Sequence, residues 1–286
     1  MSDNNLITVT IDGVQVQVTP DDTILTAANL AGIEIPTLCY LKGLNQEGSC
    51  RMSLVEVEGN AKGLVTACTQ PCTDGMVVHT KSEKVIEARR FVLDLLLSNH
   101  EGNCFSCAKN GGCKLQDYCF EYGVEKTSFE TPVQPDRPEP DYSNKFLAYD
   151  PKKCILCRRC QRTCAKIQGK GILSVSNRGF NAAITTSFER SWENTDCEHC
   201  GNCAAACPTG ALVTKDNLSN YRPYNIKKVR TTCPHCATGC QMDLIVRDNK
   251  IVGCEPADGE SNHGTLCVKG RFGSFKFVHS GDRITD

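Results

Sequence analysis

Between residues 6 and 18 the chain reads LITVTIDGVQVQV, with apolar and polar side chains alternating on either side of Asp12-Gly13. A period of two marks a half-buried strand, and Asp-Gly between two such runs marks a tight turn, so a β-hairpin is predicted here. Pro20-Asp21-Asp22-Thr23 then supplies helix-starting residues. Ile24, Leu25, Ala28 and Leu30 follow as a buried side, predicting a helix to about Gly32. Alternation returns in Leu54-Val55-Glu56-Val57-Glu58, a strand closed by Gly59-Asn60. Residues 82 to 98 change to helical spacing: Val85, Ile86, Ala88, Phe91, Val92, Leu95 and Leu96 form a stripe, with Lys84, Glu87, Arg89 and Arg90 turned outward. The segment Met242 to Val252 reads as strand, turn, strand. Short elements of both kinds, separated by long unpatterned loops, predict an α+β protein made of several small modules.

Composition sharpens this picture at one point, the 21 cysteines among 286 residues. A net charge of −1 creates no overall field to draw the chain to nucleic acid or to an anionic membrane. The longest apolar run, Phe91 to Leu97, is too short to span a bilayer and contains Asp94. The N-terminus, MSDNNLITVT, lacks the charged and apolar regions of a secretion signal. So many cysteines in a secreted chain would suggest disulfides. Without an export signal, and with the spacings below, reduced thiols in a cytoplasmic, anaerobic or low-potential setting are the better reading.

Five groups of candidate metal donors follow one another. Cys39, Cys50 and Cys68 are spaced like a C-x10-C-x2-C loop with its last cysteine farther on, except that Ser53 stands at the third position; Cys72 lies four residues after Cys68. His100 precedes Cys104, Cys107 and Cys113 in the pattern H-x3-C-x2-C-x5-C. Thiolates suit iron, and imidazole is an acceptable substitute. Residues 131 to 140, TPVQPDRPEP, contain four prolines and predict an extended linker. Next comes an internal repeat: Cys154, Cys157, Cys160 and Cys164, then Cys197, Cys200, Cys203 and Cys207, the second run followed by Pro208. In bacterial two-cluster ferredoxins the fourth cysteine of each run serves the other cluster. One site is therefore expected from Cys154, Cys157, Cys160 and Cys207, the other from Cys197, Cys200, Cys203 and Cys164. The first run is flanked by Lys152, Lys153, Arg158, Arg159, Arg162 and Lys166, the second by Glu193, Asp196 and Glu198. Such a contrast would split the two potentials or, on a solvated face, offer a basic docking surface to an acidic partner such as a soluble ferredoxin. Last come Cys233, Cys236, Cys240 and Cys267, whose spacing alone also permits zinc. Cys119 and Cys254 are left over, Cys119 reading as a small buried apolar residue.

The stretches IPTLCY, GSCRMSLVEVEG and TACTQP resemble the β-grasp, plant-type [2Fe–2S] domain that opens the large iron–sulfur subunit of respiratory complex I, many [FeFe] hydrogenases and some formate dehydrogenase α-subunits. The His100 pattern is similar to the His/Cys3 [4Fe–4S] site that follows in the same families. TTCPHCATGCQMDL and GTLCVKGRFG resemble the [4Fe–4S] domain that begins molybdopterin oxidoreductases, formate dehydrogenases especially; there Lys269 takes the place of a lysine lying between cluster and pterin. The resemblance implies a string of modules: a [2Fe–2S] ferredoxin-type domain over 1–80, a His/Cys3 domain over 81–125, a linker over 126–144, a two-cluster ferredoxin over 145–220 and a molybdopterin-oxidoreductase-type [4Fe–4S] domain over 225–286. It implies one [2Fe–2S] and four [4Fe–4S] clusters. The departures are Ser53, where the family has cysteine, and Cys72, where it usually has valine. Three readings are open: Cys72 as fourth ligand, Ser53 as ligand through oxygen, or no cluster in this module.

The family continues into catalytic domains, whereas this sequence ends at Asp286 with no nucleophile–base set and no nucleotide fingerprint. The expectation is an electron-transfer subunit without a catalytic domain. It would relay electrons between a flavin-containing NAD(P)H subunit and a separate formate dehydrogenase or hydrogenase subunit, with soluble ferredoxin and electron bifurcation as further possibilities. Two alternatives belong to other classes: a free-standing oxidoreductase working at an open cluster iron, and a zinc-binding scaffold.

Overall fold

The computed structural model of the chain describes residues 6–61, 63–130 and 137–283. These form two compact units, one of residues 1–99 and 117–133, the other of residues 100–116 and 134–286.

In the first unit the predicted hairpin is present as β1 (Ile7–Ile11) and β2 (Val14–Val18), paired antiparallel from Ile7–Val18 to Ile11–Val14. Asp12 and Gly13 make the turn with positive φ of 45° and 85°, a conformation that aspartate tolerates and glycine adopts freely. Thr23 caps α1 (Ile24–Leu30), its side chain accepting from the Thr26 N–H, and Ile24, Leu25, Ala27 and Ala28 face inward. Then follow β3 (Leu54–Val57), β4 (Val65–Thr66) and β5 (Val77–His79). The sheet order is β2-β1-β5-β3-β4, with β1 and β5 parallel. A hairpin, a helix packed on it and a returning strand beside β1 make a β-grasp. Its core joins Val9, Ile11, Val18, Ile24, Leu25, Val55 and Val78 from both layers, together with Cys68 and Cys72.

Ser82 caps α2 (Glu83–Leu97), whose limits agree with the sequence pattern, but its inward face differs. Arg89, expected outside, is 2% exposed, whereas Phe91 is 59% exposed. The Arg89 guanidinium donates to Tyr122 Oη at 2.9 Å and to the Leu54 carbonyl at 2.8 Å. A long side chain can bury its stem and satisfy its head on fixed acceptors, which a pattern counted in apolar residues does not register. Phe91 instead meets Phe129 edge-on, with ring centroids 5.8 Å apart. Tyr122 ends α3 (Lys114–Tyr122).

The second unit holds small sheets around loops. β6 (Leu147–Tyr149) pairs with a later strand, Leu212–Thr214; between them lie α4 (Arg159–Arg162), a π-helical turn over Thr163–Ile167, the hairpin β7 (Leu173–Ser176) and β8 (Ala183–Thr186), and α5 (Asn202–Ala206). With Leu212–Thr214 labelled β9, α6 (Lys215–Asn220) follows it. β10 (Lys227–Thr232), β11 (Gln241–Arg247) and β12 (Lys250–Pro256) form an antiparallel sheet, turning at Asp248 and Asn249 as predicted, and α7 (Val268–Phe272) comes after it. Of the proline-rich stretch, residues 131–136 lie outside the described residues. The rest is not a free spacer, since Arg137 is buried and Asn144 fully so.

Asp12 also accepts from the Thr80 N–H at 2.7 Å and from the Thr80 hydroxyl, tying the hairpin turn to the end of β5. Asp12→Ala should lower the stability of this unit by about 1–2 kcal/mol, two hydrogen bonds and a favourable turn residue being lost. Urea unfolding of mutant and parent measures this.

Candidate iron–sulfur sites

All 21 cysteines are unbridged. They fall where short loops meet, and the loops share a backbone device. In the first repeat Leu156 and Arg158 have φ of 55° and 59°; at the same places in the second, His199 and Gly201 have 53° and 77°. Alternating right- and left-handed residues turn successive N–H groups toward one concave side, a nest suited to an anion. Two of these amides already reach sulfur: Leu156 N–H lies 3.4 Å from Cys154 Sγ and His199 N–H 3.4 Å from Cys197 Sγ. Leucine, arginine and histidine in the left-handed region each cost about 1 kcal/mol or more, which the surroundings must offset.

The electrostatics of the repeat couple each run to the fourth cysteine of the other. Burial pushes the Cys154 and Cys157 thiols up, to about 11 and about 12, and Cys207 adds to both. Cys160 is raised well above its ordinary value by burial and then by Cys157, Cys154 and Cys207. Cys197, Cys200 and Cys203 are likewise raised by burial, and each also feels Cys164. The thiols of the first run thus feel Cys207 of the second, and those of the second feel Cys164 of the first.

His100, Cys104, Cys107 and Cys113 lie against the first of these groups. Cys113, raised by burial to about 11, feels both Cys107 and Cys207. Lys114 N–H donates to the Pro208 carbonyl at 3.0 Å, and Asn217 Nδ2 to the Ala108 carbonyl at 3.2 Å. Burial, then the charges of Arg137 and Lys153, hold the His100 imidazole down at about 4, and its buried Nδ1 has no hydrogen-bond partner. A buried, neutral ring with a free nitrogen has the form of a metal ligand. Sequence reasoning missed Arg137, which donates to the Cys154 carbonyl at 2.9 Å. Its setting in a proline-rich stretch concealed it.

At the C-terminal site Cys240 feels Cys233, Cys236 and Cys267, and Cys233 N–H donates to the Cys240 carbonyl at 2.8 Å. Cys267 caps α7, its sulfur 3.5 Å from the Gly270 N–H. Cys236 and Cys267 are exposed. A hydrogen bond to Thr238 lowers the Cys236 pKa, and Lys269, itself exposed, contributes through its charge. Cys254 is buried with its sulfur 3.5 Å from Met242 Sδ, in the same small core as Cys233 and Cys240.

In the β-grasp unit the structure separates Ser53 from Cys72. Cys39 and Cys50 share a hydrogen bond that lowers the pKa of Cys39 and raises that of Cys50, and Cys68 feels the Cys39 charge. The Ser53 hydroxyl, 1% exposed, donates to Cys68 Sγ at 3.2 Å. Cys72 shares the apolar core with Cys68; its thiol is raised to about 11 by burial and then by the Asp22 carboxylate, and its N–H lies on the Asp22 carbonyl. Cys119 lies on α3, outside every group.

Among the described residues no three His, Cys, Asp or Glu side chains gather closely enough to hold one metal ion. Zinc at about 2.3 Å from each sulfur would draw thiols to within about 4 Å of one another. The cysteine loops define an iron–sulfur class of protein, with domains of [2Fe–2S] and [4Fe–4S] type, as the family matches below show.

Comparisons with known proteins agree. Residues 4–83 match the 2Fe-2S iron-sulfur cluster binding domain and residues 89–128 the NADH-ubiquinone oxidoreductase-G iron-sulfur binding region. Residues 145–213 match the ferredoxin-like domain of NADH-quinone oxidoreductase subunit 3, and residues 226–279 the molybdopterin oxidoreductase Fe4S4 domain. The chain is similar to the NADPH-Fe(3+) oxidoreductase subunit alpha of Geobacter sulfurreducens, 38% identical over 98% of this chain and 32% of the relative. It is also similar to an NADH-quinone oxidoreductase subunit of Rhizobium meliloti, 40% identical over 98% of this chain and 32% of that one. With the NADP-reducing hydrogenase subunit HndD of Solidesulfovibrio fructosivorans it shares 44% identity over 75% of this chain and 37% of HndD. It thus spans about a third of the length of these curated relatives. A chain of the crystal structure of an NAD+-reducing [NiFe]-hydrogenase in its H2-reduced state superposes with a TM-score of 0.67 and 33% identity, covering 73% of this chain and 87% of that one. The chain belongs to the family of iron–sulfur proteins found in NADH-quinone oxidoreductases and NAD(P)-linked hydrogenases.

One contact gives a local test. A Cβ on Gly210 would collide with Cys107 Sγ, so only glycine admits the thiol there. Gly210→Ala should displace Cys107 and cost the protein about four irons, with the other sites retained. Iron analysis and electron paramagnetic resonance (EPR) of the reduced protein read the outcome.

Proposed function

We propose that this chain is an electron relay carrying one [2Fe–2S] and four [4Fe–4S] clusters. The observation that carries the reading is the electrostatic coupling of Cys157 to Cys207 and of Cys203 to Cys164, which supports an exchange of fourth ligands between the two repeats. Bound there, each cluster supplies one-electron transfer. The protein's own part is to hold donors, exclude water and fix local charge. The ligand sets are His100 with Cys104, Cys107 and Cys113; Cys154, Cys157, Cys160 with Cys207; Cys164 with Cys197, Cys200 and Cys203; and Cys233, Cys236, Cys240 with Cys267.

For the [2Fe–2S] site we assign Cys39, Cys50, Cys68 and Ser53. The support is the Ser53 oxygen at 3.2 Å from Cys68 sulfur, against the turning of Cys72 into the core beside Asp22. An alkoxide is a harder, more basic donor than a thiolate and favours the oxidised iron, so this site should have a low potential.

The likeness to NAD(P)-linked oxidoreductase and hydrogenase chains supports partners of two kinds, a flavin-containing subunit that exchanges electrons with NAD(P)H and a catalytic subunit. A hydrogenase is the catalytic partner favoured by these relatives; a formate dehydrogenase is favoured by the C-terminal module. The unbridged thiols are in keeping with a reducing, cytoplasmic setting, and among the described residues no helix is long and apolar enough to cross a membrane.

Oxygen-free protein should contain about eighteen irons and as many sulfides per chain. Zinc in place of iron would sink the relay. Native purification should bring down a flavoprotein and a catalytic subunit, and turnover by the isolated chain would favour a free-standing enzyme instead. For the first site, Ser53→Ala should abolish the [2Fe–2S] EPR signal and Ser53→Cys should raise its potential. Cys72→Ala should leave it unchanged; the reverse pattern would make Cys72 the ligand.

A further inference from the structure

Arg271 is 1% exposed and makes no ion pair among the described residues. Its Nε donates to the Cys200 carbonyl at 3.0 Å and its Nη2 to Asn202 Oδ1 at 3.2 Å. Glu255 is near enough to favour its charge, but Glu255 is itself held by Lys228 Nζ at 2.6 Å. An arginine side chain stays charged in proteins, and a buried charge without a counter-ion costs several kcal/mol. Something else must balance it.

The neighbourhood supplies that balance through thiols: the buried Cys254 and, within one proposed ligand set, Cys203 and Cys200 all favour its charge. Gly201, with φ of 77°, opens the space: a Cβ there would lie 2.5 Å from Arg271 Cδ. The Arg271 side chain therefore lies against the backbone of the segment that carries Cys200 and Cys203, two of the proposed ligands of one centre. Cys200 and Cys203 both feel its charge, whereas at the C-terminal centre Cys236 feels Lys269. Asn202 completes the clasp, donating to the Leu266 carbonyl at 3.0 Å and accepting from the Leu266 N–H at 3.1 Å. So the segment carrying Cys267 delivers a cation to the preceding centre.

We propose that Arg271 is the buried counter-charge of the Cys164/Cys197/Cys200/Cys203 cluster. It stabilises the cluster's reduced, more negative form and raises its potential above what the acidic flank of Glu193, Asp196 and Glu198 would set. It is a positioning and tuning residue, not a ligand. The inference rests on the ligand sets proposed above.

The test is a redox titration of the full chain followed by EPR, with iron content measured on every sample. Arg271→Gln should keep its iron and move one [4Fe–4S] midpoint downward by at least tenfold in reduction equilibrium, 59 mV for one electron. Arg271→Lys keeps the charge and should move that midpoint by clearly less. Unmoved midpoints in iron-replete Arg271→Gln would overturn the proposal, as would equal shifts in the two variants, which would mean that only the hydrogen bonds matter. If Arg271→Gln loses its iron, Asn202→Asp decides: it places a carboxylate against the guanidinium and should lower the same midpoint, and an unchanged midpoint there counts against the proposal. An iron-free parent protein would instead defeat the ligand sets themselves.

Discussion

Three cysteines within seven residues can turn toward one side more readily when the backbone changes hand between them. The rest of the second unit depends on that constraint. Leu156, Arg158 and His199 occupy the left-handed region although none is glycine. Each is a small local cost, and together they bring several amide N–H groups to one side of each loop. The surrounding elements serve to make this geometry unavoidable. β6 and β9 pair at one end of the repeat, β7 and β8 at the other, and Asn144, fully buried, places its Nδ2 3.7 Å from Cys197 Sγ. There is little apolar core to resist unfolding here. The core of this region itself includes Cys154 and Cys160 packed with Leu147, Ile184, Trp192 and Leu212. A protein whose cysteines are part of its core gains stability when they bind metal, because binding and folding draw on the same free energy.

Burying so many thiols has an electrostatic consequence. Protonated, they are small apolar groups; as ligands they are anions, and a cluster held by them carries net negative charge. The chain places buried guanidiniums where that charge would collect. Arg137 lies on the Cys154 carbonyl and lowers the proton affinity of His100; Arg271 lies on the Cys200 carbonyl. Arg89 provides the contrast. It is as deeply buried, but it is bonded to Tyr122 and Leu54 and belongs to the packing of α2 on β3. The same residue type therefore does two jobs, told apart by whether its acceptors belong to a donor loop.

Much of this was legible in the sequence. The hairpin at Asp12-Gly13, the helix capped by Ser82 and the strand pair turning at Asp248-Asn249 are short-range features, governed by residues within a turn of one another. The cysteine spacings were equally plain, and the repeat pointed to an exchange of Cys164 and Cys207. What spacing could not supply was direction. Ser53 and Cys72 are both within reach of Cys68 along the chain, and only the fold shows that the Ser53 hydroxyl meets the Cys68 sulfur while the Cys72 backbone is tied to Asp22. Arg89, Arg137 and Arg271 were misread or overlooked for one reason: a charged residue is assigned to the surface unless its acceptors are known, and those acceptors are backbone carbonyls and amides far away in sequence.

The same logic bears on where one module ends and the next begins. Motifs divide the second unit into three parts, at the His100 loop, the repeat and the C-terminal strands. Hydrogen bonds divide it differently. Lys114 N–H is satisfied by the Pro208 carbonyl, Asn217 by Ala108, and the Leu266 backbone by Asn202. Each is a buried or half-buried polar group whose partner lies in another motif, and separating them would leave donors unpaired at about 1–3 kcal/mol apiece. Donor motifs mark where metal is held; satisfied polar groups mark what moves as one body. A relay needs the second more than the first, since electron transfer between neighbouring centres tolerates little change in their separation.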